Sequence, residues 1–129
     1  MRRLLPWAFW AALAFTFVMA ALPHPPRIPG DPVDKVQHMA AFTVLTALAH
    51  LAWPAISRLR LLIILSAFGA LIEVVQAIPA LHRDSDWRDW VADTVAILVT
   101  LALAAMVRGF VRGRQAEAAT LRNGTSRRQ

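Results

Sequence analysis

The chain has 129 residues, 57% apolar and 17% charged, with a mean hydropathy of +0.48, a net charge of +6 and no cysteine. A soluble domain carries about 45–50% apolar and about 25% charged residues, so this balance points to a single membrane domain. The missing cysteines exclude disulfides, thiolate metal sites and cysteine nucleophiles.

Four apolar runs, at 4–22, 36–53, 61–79 and 90–107, are each 18 or 19 residues long. That is close to the roughly 20 residues needed to cross a bilayer core at 1.5 Å per residue. Backbone in lipid must satisfy its own hydrogen bonds, so such runs are helices. The expected architecture is all-α: a four-helix transmembrane bundle over 1–107, then a basic cytoplasmic tail over 108–129. Run one, preceded by Arg2 and Arg3 and closing on Met19-Ala20-Ala21, also has features of a cleaved signal peptide. Its 19 residues exceed the usual 7–15 of a signal core and favour a retained span. Pro23-His24-Pro25-Pro26 is a stiff extended linker. In Asp31-Pro32-Val33-Asp34, a capping Asp and a first-turn Pro start the second helix near Pro32. Pro54 and Pro79 mark the ends of the second and third helices. Ser85 and Asp86 are candidate caps for the fourth, and Asp89 in its first turn suits the helix dipole. All five Trp (Trp7, Trp10, Trp53, Trp87 and Trp90) lie toward run ends, where amphipathic rings favour the interface.

Ten of the fourteen basic residues fall at the N-terminus (Arg2, Arg3), the turn after Trp53 (Arg58, Arg60) and the tail (Arg108, Arg112, Arg114, Arg122, Arg127, Arg128). Only Arg27, Lys35, Arg83 and Arg88 occupy the other two loops. The positive-inside rule then puts both termini in the cytoplasm, N-in and C-in, of a multi-pass protein of the inner (cytoplasmic) membrane. Acidic residues sort the other way: Asp31, Asp34, Glu73, Asp84, Asp86, Asp89 and Asp93 outside, Glu117 alone inside. The tail is expected to rest on anionic lipid, at about 1 kcal/mol per cation. The partner implied is therefore the lipid bilayer and no nucleic acid. Asn123-Gly124-Thr125 matches a glycosylation sequon but falls on the cytoplasmic side.

Ionisable residues inside spans are functional candidates by default, because each is costly there. His38 lies about 3 Å inside the second run, and Glu73 and Gln76 about 9 and 4–5 Å below Pro79. Asp93 lies about 4–5 Å inside the fourth run. Three helices thus bring these residues to one shallow depth, beneath a loop holding Arg83, Asp84, Asp86, Arg88 and Asp89. Asp34 and His38, Glu73 and Gln76, and Asp89 and Asp93 each share a helix face. The expected site is an outward-opening polar pocket of Asp34, Lys35, His38, Glu73, Gln76, Arg83, Asp86, Asp89 and Asp93. Gly69, Ser66 and Ala70 allow close helix approach beside Glu73. Simpler readings stand beside these. Glu73 can be a clamp neutralised by Arg83, Lys35 or a proton, and His38 an interfacial histidine. Asp34 and Asp89 can serve as caps, and Arg83 and Arg88 as partners of nearby Asp. His50 lies near the inner end, apart from the others. His38, Glu73 and Asp93 offer N and O donors, but without an H-x-x-x-H or H-E-x-x-H spacing, so no metal or other cofactor is expected.

Asp34-Lys35-Val36-Gln37-His38 with Phe42, then Glu73-Val74-Val75-Gln76, Arg83, Asp86-Trp87-Arg88-Asp89 and Asp93-Thr94 form an ordered set. In it the chain resembles the VanZ-like family, small membrane proteins named for a teicoplanin-resistance protein, over about 34–107. The family commonly has Asn at the position of Asp93 and Gly at that of Ala96. The resemblance implies an envelope role related to glycopeptide susceptibility and carries over no catalytic residue. Three function classes follow, in this order. The first is a non-enzymatic envelope protein whose outer pocket handles a cell-wall or lipid-linked ligand. Next comes an intramembrane hydrolase or transferase with His38 and Glu73 as acid and base. Last is a proton-coupled carrier using Glu73, for which a homo-oligomer would supply the path.

Overall fold

The computed structural model describes residues 2–23, 34–83 and 85–126, with every side chain except those of Arg2, Asp34 and 120–126. The expected linker at 24–26, the cap at Asp31 and Pro32, and Asp84 lie outside the described residues. The fold is all-helical. Among the described residues there are four α-helices, α1 (Leu5–Ala21), α2 (Asp34–Ala52), α3 (Arg58–Gln76) and α4 (Trp87–Ser126), with one 3-10 turn before α1 and another between α3 and α4.

Each boundary has a local cause. Pro6 sits in the first turn of α1, where its missing N–H costs nothing. After α2, the Trp53 amide donates to the Ala49 carbonyl at 3.0 Å, and Pro54 stops the helix. The Ser57 hydroxyl caps α3 by accepting from the Arg60 amide at 3.3 Å. Pro79 does not itself end α3, which stops at Gln76. The residue before a proline is driven out of helical geometry, and Ile78 accordingly adopts ψ 116. Pro79 then opens a single 3-10 turn, Pro79–Leu81, closed by His82 in the left-handed region at φ 48.

α2 packs on α1 and α4, and α3 on α4. The core takes Phe42, Leu45 and Ala49 from α2, Leu61, Leu65 and Ile72 from α3, and Ala96, Ile97 and Leu101 from α4. α1 adds Phe9 and Ala20. Ring contacts fix the helix levels: Phe9 meets Trp53 edge-on at 5.1 Å, and Phe68 lies 5.9 Å from Phe42 and 6.3 Å from Phe17. At Gly69 a side chain would meet Phe42 Cζ at 3.3 Å, Trp90 Cδ1 at 3.4 Å and Asp93 Oδ2 at 3.5 Å, so glycine lets α3 close on α2 and α4.

By length and composition α3 and the stretch Trp87–Ala119 of α4 can cross a membrane. Only 33% and 17% of their apolar windows are buried, so most of that apolar surface faces outward, unlike a soluble core helix. α1 is apolar but has 17 residues. α2 carries Lys35, Gln37, His38 and His50 among its apolar residues. α4 continues past 107 as one helix to Ser126, so much of the stretch expected as a tail is helical. Its Arg, Gln, Ala and Glu residues are good helix formers and outweigh Gly109 and Gly113.

Candidate functional site

α2 and α4 run in the same direction and are bridged by two rungs. Lys35 Nζ meets Asp89 Oδ1 at 3.3 Å, with the lysine partly in solvent. One turn deeper, His38 Nδ1 lies 3.5 Å from Asp93 Oδ2, and both side chains are at least nine-tenths buried. The i, i+3 spacing on α2 and the i, i+4 spacing on α4 stack the rungs. The inner distance exceeds an ordinary hydrogen bond, so His38 and Asp93 are coupled by charge when His38 carries its proton. Among the described residues, no donor forms a hydrogen bond of ordinary geometry with either Asp93 oxygen.

Glu73 ties α3 to the approach of α4. Its Oε2 accepts from the Ser85 hydroxyl at 3.1 Å and the Asp86 amide at 3.0 Å. Its Oε1 is buried without a hydrogen bond among the described residues. Asp86 is the α4 cap, its Oδ1 accepting from the Arg88 amide at 2.9 Å. Ser85, the other expected cap, donates to Glu73 instead. Lys35, expected as one neutralising partner of Glu73, is committed to Asp89. Gln76 turns away from this group and donates to the Ala20 carbonyl of α1 at 3.2 Å. Arg83 is half-buried after the 3-10 turn, its Nε shielded from water. The Asp34 backbone begins α2, and its side chain lies outside the described residues.

Six of the nine expected residues therefore meet at one end of the bundle in linked pairs, Lys35 with Asp89, His38 with Asp93 and Glu73 with Asp86, whereas Gln76 points to α1. Among the described residues, no three His, Asp or Glu side chains are placed to hold a metal ion. The donor set His38, Glu73 and Asp93 is divided between the inner rung and the α4 cap region.

Two polar links escape a reading of the sequence. Trp90 donates its indole N–H to Ser66 O and Ser66 Oγ, each at 3.1 Å, and Ser66 Oγ lies 3.0 Å from Thr94 Oγ1. The available signal was the indole itself, which needs a partner when it lies in an apolar run. His50, expected to stand apart, has Nε2 2.7 Å from an Arg108 guanidinium nitrogen. Because arginine only donates, Nε2 is the acceptor and the ring proton is on Nδ1. Trp90→Phe is expected to lose about 1 kcal/mol of unfolding free energy in detergent through the missing indole donor. Trp87→Phe, at an exposed ring, is expected to change it little; equal losses would show that the indole link contributes nothing.

The chain matches no family model, no curated protein and no solved structure with which it was compared.

Proposed function

We propose that the protein is a four-span, VanZ-like protein of the inner membrane, with both termini in the cytoplasm. In this reading the polar end of the bundle faces outward and handles a cell-wall or lipid-linked ligand, with an effect on teicoplanin susceptibility. One observation carries the ligand reading. Among the described residues, Glu73 Oε1 and Asp93 Oδ1 are buried at this end without a hydrogen-bond partner. Buried acceptors of that kind call for an explanation, and donors on a ligand would satisfy them. The charge distribution supports the orientation. Arg3, Arg58, Arg60 and Arg108 lie at the opposite end, where α1 begins, α2 gives way to α3 and α4 passes His50. The apolar outward surfaces of α3 and α4 support the membrane setting. Support for the family is the residue order from Asp34 to Thr94 quoted above.

The test is teicoplanin and vancomycin susceptibility in a Gram-positive host expressing wild type, Glu73→Gln and Arg83→Ala at matched levels. Glutamine keeps an oxygen for the Ser85 and Asp86 donors while removing the charge, so the α4 cap region should survive. Protection against teicoplanin alone, lost in both variants, is the expected result. No protection from well-accumulated wild type, or full protection from both variants, would overturn the proposal.

A further inference from the structure

The end of the bundle opposite the polar pairs has a chemistry of its own. Arg3 precedes α1, Arg58 and Arg60 occupy the first turn of α3, and all three are exposed. Arg108 docks on His50 one turn from the end of α2, which fixes the level at which α4 leaves the bundle. Beyond that point Arg112 and Arg114 are exposed, and among the described residues no acidic side chain appears at this end before Glu117.

The spacing matches a lipid headgroup layer. That layer extends about 5–8 Å beyond the hydrocarbon on each side. At 1.5 Å per residue Arg112 and Arg114 lie about 6 and 9 Å past Arg108, and Glu117 about 14 Å past it. Helical side chains lean toward the N-terminus, here back toward the bilayer. Arg114 does so, its guanidinium lying 5.8 Å from the centre of the Phe110 ring one turn earlier. Phe110 and Val111 are exposed beside these arginines, apolar contacts for the acyl boundary. The basic groups thus fall within the phosphate layer, while Glu117 falls in water.

We infer that Arg58, Arg60, Arg112 and Arg114 form a binding surface for anionic phospholipid, the phosphodiester of the headgroup being the recognised group. This rests on the membrane setting of α3 and α4 and is independent of the outer-ligand proposal. A second copy of the chain is the less favoured occupant, because it would bring like charges together.

Purified full-length protein in dodecylmaltoside micelles provides the test, with thermal midpoints read after adding phosphatidylglycerol, phosphatidylcholine or inorganic phosphate. Phosphatidylglycerol is expected to raise the midpoint several degrees above phosphatidylcholine. The difference should vanish in about 0.5 M NaCl, where the screening length falls well below its physiological value. It should also vanish in R58Q/R60Q/R112Q/R114Q. All four side chains are exposed, so that variant should match wild type in phosphatidylcholine. Arg88→Gln, at the other end, should keep the full difference. Equal shifts from the two lipids, an unchanged shift in the fourfold variant, or the same shift from phosphate alone would overturn the inference. The last outcome would identify a simple anion site instead of a lipid surface.

Discussion

His38→Leu is expected to remove about 3–5 kcal/mol of unfolding free energy, among the largest effects of any single change in this chain. The side chain of Asp93 is 1% exposed and faces His38 across the inner rung. Without the imidazole, that carboxyl group is buried with neither a counter-charge nor a facing ring nitrogen at this rung. The double change His38→Leu/Asp93→Leu is expected to recover most of the loss, because an apolar pair of similar size has no charge to desolvate. Asp93→Asn should cost less than His38→Leu, since the amide keeps the shape and drops the charge. Equilibrium unfolding in mixed micelles separates these outcomes. A His38→Leu protein as stable as wild type would mean that the rung contributes nothing. A double variant no better than the single would mean that the loss came from packing alone.

The parts of this site that the sequence made legible are those set by position along one helix. Asp89 and Asp93 lie four apart, which already stacks them on one face of α4; on α2 the expected face paired Asp34 with His38, whereas the rungs use Lys35 and His38, three apart. Counting rise per residue from the run ends brought His38, Glu73 and Asp93 to a common level. The capping role of Asp86 was likewise local and readable. What could not be read was the rotation of each helix about its axis. α1 is apolar nearly all round, so its pattern does not say that Phe9 and Ala20 face inward or that Gln76 will reach the Ala20 carbonyl. The same ambiguity hid the choice of Lys35 for Asp89 over Glu73, and of His50 for Arg108. The helical continuation of α4 past 107 was hidden differently. A change from apolar to basic composition marks where lipid ends, whereas helix formation is set by backbone propensity and carries on through Arg, Gln and Ala.

Gly69→Leu is expected to prevent normal accumulation, whereas Gly69→Ala should cost only about 1 kcal/mol as neighbours yield slightly. The reason lies in three contacts from three different groups. A Cβ at this position sits 3.3 Å from the Phe42 ring edge, 3.4 Å from Trp90 Cδ1 and 3.5 Å from Asp93 Oδ2. One methyl can be admitted by a few tenths of an ångström of movement. The isopropyl group that leucine adds beyond Cβ must displace Phe42 from the core, turn Trp90 from Ser66, or push Asp93 away from His38. Each escape breaks a different link among α2, α3 and α4, so relaxing one strain creates another. Overpacking typically costs about 1–3 kcal/mol, and here a disturbed buried ion pair is added to it. Membrane levels of the two variants, followed by midpoints in detergent, check the expectation. Wild-type levels and midpoint for Gly69→Leu would mean that α3 can stand away from α2 and α4 without loss, and that the close approach at Gly69 does not hold the polar end together.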